Sequence, residues 1–189
     1  MGSIEMTEQM KRRIRAVMVP ALLVPALAGV ALAQAPAALR IDPTWLKVDS
    51  AASSAEFSLI AGLGGTNGGM NFNGATNGAL TLVVPVGWHV VLNFRNDDPN
   101  MPHSAVVIPA VTPVPAGAGR PAFAGAATRQ PDQGLATGSR QSLRFDAATA
   151  GSYMIFCAVP GHGMAGMWMR LDVSASAARP SIGPTPAGQ

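Results

Sequence analysis

Short runs of alternating apolar and polar residues, punctuated by glycine, proline and asparagine, restrict this chain to β-structure. In "LTLVVPVGWHVVLNFRN" (80–96), Trp88, Val90, Leu92 and Phe94 fall on one face and His89, Val91, Asn93 and Arg95 on the other, which is the pattern of a half-buried strand. "MWMRLDV" (167–173) repeats it: Met167, Met169, Leu171 and Val173 share a face, with Trp168, Arg170 and Asp172 opposite. Further strands are predicted around 45–48 and in "SAVVIPAV" (104–111), "SLRFDA" (142–147) and "GSYMIFCAV" (151–159). Past the N-terminal stretch, no segment keeps helical periodicity for more than a turn or two. Many short strands between turn signals predict an all-β, antiparallel β-sandwich.

The remaining segments read as connections and ends. "AGLGGTNGGMNFNGATNG" (61–78) is dense in Gly and Asn, as loops and tight turns require. A Pro/Gly/Ala-rich stretch around 111–141 has no steady period and is expected to be a surface excursion. The tail, 174–189, is polar and proline-rich and is expected to be disordered. At the N-terminus, Lys11, Arg12, Arg13 and Arg15 precede the apolar run 16–33, which ends in the small-x-small sequence Ala31-Leu32-Ala33. Residues 1–33 therefore read as a signal peptide or, alternatively, an N-terminal membrane anchor. The expected folded domain is 34–173, exported to the periplasm or another extracytoplasmic space.

Without residues 1–33 the charge nearly vanishes. That segment holds four of the 13 basic and two of the 10 acidic residues, leaving 9 and 8. No basic stripe survives to suggest a nucleic-acid partner.

Chemistry concentrates in "YMIFCAVPGHGMAGMWMRLDV" (153–173), which carries the only cysteine, one of three histidines and four of ten methionines. An exported lone cysteine is a buried hydrophobe, an intermolecular cross-link, or a reactive or metal-bound thiolate. Here His162 follows Cys157 by five residues and Met167 follows by ten, while His103 opens a strand upstream in "NMPHSAVV". One thiolate, two imidazoles and one thioether are the donor inventory of a blue copper electron-transfer site. The glycine-rich "GHGMAG" can turn tightly enough to bring three of the four donors to one metal. Met164 lies within that loop and is the weaker axial candidate. His89 falls on the exposed face of its strand and is read as a non-ligand, and Asp97-Asp98 is assigned to a turn. A structural zinc site needs more strong ligands than one cysteine supplies. A Cys-His hydrolase needs an orienting third group, which nothing in the sequence indicates. A second catalytic copper would need further histidines, and only His89 remains.

These residues resemble the cupredoxin family, and within it the longer-loop sulfocyanins. The loop Cys157-x4-His162-x4-Met167 with His103 upstream carries the resemblance, supported by "MNFNGATNGALTLVVPVGWHVVLNF" and "NMPHSAVV". It implies a Greek-key sandwich holding one type 1 copper that cycles between Cu(I) and Cu(II). The metal ligands would be His103, Cys157, His162 and Met167, with Ser104 and Asn71 or Asn73 hydrogen-bonding nearby. The implied role is a monomeric one-electron carrier, not an enzyme, serving a redox partner such as a cytochrome or terminal oxidase. An N-terminal membrane tether would fit that role. The alternative is a periplasmic copper-binding or copper-delivery protein, for which exposed methionines are suited.

Overall fold

The computed structural model describes residues 39–186. The expected signal peptide or anchor, 1–33, lies outside them. Among the described residues no helix is long and apolar enough to cross a membrane. Two sheets form the domain. The first contains β1 (Leu46–Asp49), β2 (Ser54–Ala61), β4 (His89–Asn96) and β6 (Arg140–Asp146), in the order β1-β2-β4-β6. The second contains β3 (Leu80–Pro85), β5 (Val106–Pro109), β7 (Gly151–Phe156), β8 (Trp168–Ser174) and β9 (Ser181–Pro184), in the order β5-β7-β8-β3-β9. Pairing is antiparallel except between β2 and β4 and between β3 and β8. Both parallel pairs join strands distant in sequence, as a sandwich with crossing connections requires.

Alternation places the core. In β4, Val90, Leu92 and Phe94 are buried, and in β8 so are Met169, Leu171 and Val173. They meet Phe57, Leu59, Leu82, Leu143 and Ile155 from the other strands in one cluster. Each such side chain contributes roughly 1.5–3 kcal/mol by leaving water.

Two expectations are corrected. The run 80–96 forms two strands in different sheets, because Pro85 offers no N–H to continue the ladder and Gly87 turns the chain at φ +82°. Gly87 then donates to Ala147 O at 2.8 Å, which starts β4 in the first sheet. The tail is ordered through Pro186: β9 pairs antiparallel with β3, and Ile182 packs on the core. An edge strand needs mainly backbone partners, so polar composition did not preclude it.

Between residues 111 and 139 there is no strand, yet part of the segment packs inward. Ala122 donates to Val107 O and Val107 donates to Ala126 O, at 2.8 and 2.9 Å. Thr128 likewise donates to Ala105 O at 2.9 Å, so the segment covers the open edge of β5. Phe123 stacks on Phe145 with centroids 5.3 Å apart and tilts against Tyr153 at 4.8 Å. A lone aromatic inserting from an irregular segment leaves no period to read.

Candidate metal centre

The loop after β7 is folded by its own backbone. Cys157 donates to Met167 O and Met167 donates to His162 O, both at 3.0 Å. Inside, His162 donates to Val159 O, Ala165 to Gly161 O and Gly166 to Gly163 O, at 2.9–3.0 Å. Gly166 sits at φ +100°, and a Cβ there would stand 2.7 Å from Asn77 Oδ1. Only glycine suits such a left-handed position in close contact. The Asn/Gly-rich segment clamps the loop from outside: Asn67 Nδ2 donates to Ala165 O and Asn77 N to Gly166 O, at 2.9 and 2.8 Å.

His103 arrives on a separate arm. Its backbone pairs both ways with Leu135, at 3.1 and 2.7 Å, so the far end of the 111–141 stretch fixes its height. Asn96 at the end of β4 donates to Met101 O and Leu135 O, at 2.8 and 2.9 Å. Ser104, the next residue, donates from its N–H to Cys157 Sγ at 3.3 Å and accepts from Ala158 N–H at 2.9 Å through Oγ.

The two halves converge on one point. His103 Nδ1 and His162 Nδ1 are 3.2 Å apart, and Cys157 Sγ lies 3.6 Å from His162 Nδ1 and 3.9 Å from His103 Nδ1. These three form a group that could hold a metal ion, and His103 and Cys157 are fully buried while His162 is half-buried. Metal bonds of about 2.0 Å to nitrogen and 2.3 Å to sulfur in one plane would set donor separations of about 3.5 and 3.7 Å. The observed triangle fits a single small cation, and its soft sulfur with two imidazoles fits copper.

The electrostatics favour cation capture. Burial lowers the pKa of His103, against the opposing pull of Asp98. Burial also lowers that of His162, and the neighbouring His103 adds to the effect. Both imidazoles are thus neutral, with lone pairs available. Burial raises the Cys157 thiol, opposed by the N–H groups of Ser104 and Val159. A metal entering the site must therefore displace the thiol proton.

Behind His103 stands Asp98, whose Oδ2 faces His103 Nε2 at 3.2 Å. Its Oδ1 accepts the N–H groups of Asn100 and Met101 at 2.8 and 3.1 Å. Burial pushes this carboxyl up, but those N–H donors and His103 outweigh burial and hold it below the usual carboxylate range. With Nε2–H directed at a carboxylate, Nδ1 is left as the acceptor atom facing the cluster. The sequence assigns Asp98 to a turn with Asp97. The structure separates them, since Asp97 pairs with the partly exposed Arg95 at 2.8 Å while Asp98 is buried.

Met167 is fully buried and tied by its backbone to both Cys157 and His162. Met164 is 63 % exposed. His89 is exposed and bonded to Asp146, apart from the cluster. Ser104 does reach the sulfur, whereas Asn71 and Asn73 spend their side chains on Thr66 O, Gly74 N, Ile60 N and Ser58 O. The Asn73 bonds brace the loop at 66–74 against β2, and the Asn71 bonds hold the loop to itself.

Comparison with known proteins bears on the same region. The family described as "Sulfocyanin (SoxE) domain" matches residues 43–182. The sulfocyanin of Sulfolobus acidocaldarius is 31% identical over 117 residues, a match spanning 58% of this chain and 58% of that protein. The chain thus aligns with little more than half of that relative's length. Among solved structures, a rusticyanin variant superposes with a TM-score of 0.50 at 21% identity, covering 69% of this chain and 86% of that one. The reduced auracyanin of Roseiflexus castenholzii gives 0.47 at 22%, covering 63% and 96%. The rusticyanin likeness shows a shared cupredoxin fold.

Proposed function

The chain belongs to the sulfocyanin family, and from that premise we propose that it is a blue copper protein carrying single electrons. His103 and His162 would supply imidazole donors, Cys157 the thiolate and Met167 a thioether. The observation that supports this most directly is the convergence of Cys157 Sγ and two imidazole Nδ1 atoms within 3.2–3.9 Å, with Cys157 and His103 buried. Bound copper would supply the Cu(I)/Cu(II) couple, accepting one electron from a donor protein and passing it to an acceptor.

The chain's own contribution is constancy. Each donor is fixed from behind: His103 by Asp98 and Leu135, Cys157 by Ser104 and Met167, His162 by Val159 and Met167. Donors held this way do not rearrange between oxidation states, which keeps the cost of electron transfer low. Burial of Cys157 and His103 also favours retention of the metal over hand-over, and so the carrier over the delivery protein. His162 is the half-exposed ligand. With Pro160 and the exposed Met164 beside it, the loop offers a small apolar surface for a redox partner such as a cytochrome or terminal oxidase. Such encounters need little area. Export, with residues 1–33 as signal or tether, would place the carrier outside the cytoplasm.

The test is the visible spectrum after addition of Cu(II), beside Cys157→Ser. Intense blue absorption that bleaches on reduction and is absent in the variant is expected. A pale protein that surrenders Cu(I) readily to a chelator would sink the carrier reading in favour of delivery.

A further inference from the structure

The Asn/Gly-rich segment and the buried Asp98 meet at one contact. Gly62 (φ +77°) and Gly69 (φ +93°) both lie against Asp98. A Cβ on Gly62 would fall 2.6–2.8 Å from Asp98 Cβ, N and Cα, and one on Gly69 would fall 1.7 Å from Oδ2. That oxygen is the one facing His103 Nε2. No side chain larger than hydrogen fits at either position without moving Asp98. Other glycines of the segment, Gly64, Gly65 and Gly68, have open space around them, so turning alone does not account for Gly62 and Gly69.

We infer that Gly62 and Gly69 form a seat for Asp98, and that Asp98 is a positioning residue which, through His103, biases the centre toward its oxidised state. The first half rests on packing alone. The second rests on the copper reading above. A carboxylate accepting from the far ring nitrogen fixes the tautomer and makes the imidazole a stronger donor, which favours the more highly charged metal. Its negative charge acts in the same direction across a buried path.

Two variants of the full-length chain test this: Asp98→Asn and Gly69→Ala. Asn keeps the size but faces donors on both sides, so its NH2 must oppose either His103 Nε2–H or the N–H groups of Asn100 and Met101. At a fixed applied potential the ratio of oxidised to reduced protein should fall about tenfold in Asp98→Asn, a rise in midpoint of about 59 mV for one electron. Gly69→Ala should move it in the same direction, while Asp97→Asn, on the partly exposed Arg95 pair, should leave it unchanged. Nitrogen NMR of the metal-free native chain should show His103 as the Nε2–H tautomer with slow proton exchange, and that proton should exchange faster in both variants. A native His103 found as the Nδ1–H tautomer would overturn the inference whether or not either variant folds. So would an unchanged midpoint and unchanged exchange in Asp98→Asn. Failure of the native chain to turn blue would instead remove the copper reading, and the tautomer would still decide the seat.

Discussion

The two halves of the donor cluster are held in opposite ways. Cys157 and His162 sit in a loop folded mainly by backbone bonds among residues 157–167, with outside contacts from Asn67, Asn77 and Ala116. His103 sits on an arm whose restraints come from afar: Leu135 on one side, Asp98 seated by Gly62 and Gly69 on another, and Cys157 through Ser104. The contrast separates what a short peptide can specify from what only the assembled sandwich can. A local loop can bring two donors together, but the third appears only once the sheets and the 111–141 segment are in place.

Ligand deletion with chemical rescue is the most severe way to break that contrast. In His162→Gly the vacated space opens toward solvent, so added imidazole should enter and restore the blue absorption. His103 is fully buried beneath Leu135 and Asp98, so His103→Gly should lose its colour and stay colourless at the same imidazole concentration. Equal rescue of both variants would show that the arm is no more rigid than the loop.

A smaller perturbation acts where the halves touch. Gly134 has φ +73°, and a Cβ there would lie 2.8 Å from Val159 Cγ2 and 3.0 Å from His103 N, one atom from each half. Gly138 has nearly the same φ, +76°, with open space around it. Gly138→Ala should cost about 1–2 kcal/mol from left-handed strain, and Gly134→Ala should cost about 1–3 kcal/mol more as backbone is pushed aside. Denaturant midpoints of the two variants, compared with the native chain, isolate the clash. Equal losses would mean that the junction yields freely.

The same contrast explains what could be read from the sequence. The spacing of Cys157 and His162 was legible because a tight loop ties position in the chain to position in space. The alternation in β4 and β8 was legible because period two is a backbone property. Asp98 was not, since an Asp-Asp pair after a strand looks like any turn until Gly62 and Gly69 are folded over one of its members. Nor was the inward packing of Phe123, or the pairing of β9 with β3. Both depend on an edge or a gap left by other strands, which no window of adjacent residues displays.

Acidity should affect both halves, in proportion to burial. The pKa values of His103 and His162 are lowered from their ordinary 6.5 by burial, so the unfolded chain binds protons first as pH falls. Their contribution to stability is therefore fully present above about pH 6.5 and is lost as pH drops through the folded values. Cys157 is raised from its ordinary 9.0, so its contribution is present below that pH and declines above it. Metal-free protein should accordingly show a plateau in melting temperature between about 6.5 and 9.0, falling on both sides. Replacing His103 by Gln should flatten the acid limb, whereas a limb unchanged in that variant would assign it to other groups.

The mildest change concerns an edge that serves neither half. β9 contributes a backbone ladder to β3, the half-buried Ile182 and a hydroxyl contact between Thr81 and Thr185 at 2.7 Å. Ending the chain after Ser174 should lower stability by about 1–3 kcal/mol, mostly from Ile182 and the buried Pro180. Colour, midpoint potential and the tautomer of His103 should stay as in the native chain, because β8 separates β3 from β7, the strand that leads into Cys157. The exposed edge of β3 should also make the truncated protein more prone to self-association, visible as a concentration-dependent sedimentation coefficient. A shift in midpoint would mean that the cluster depends on the whole second sheet, and the division between a local loop and an assembled arm would have to be redrawn to include its far edge.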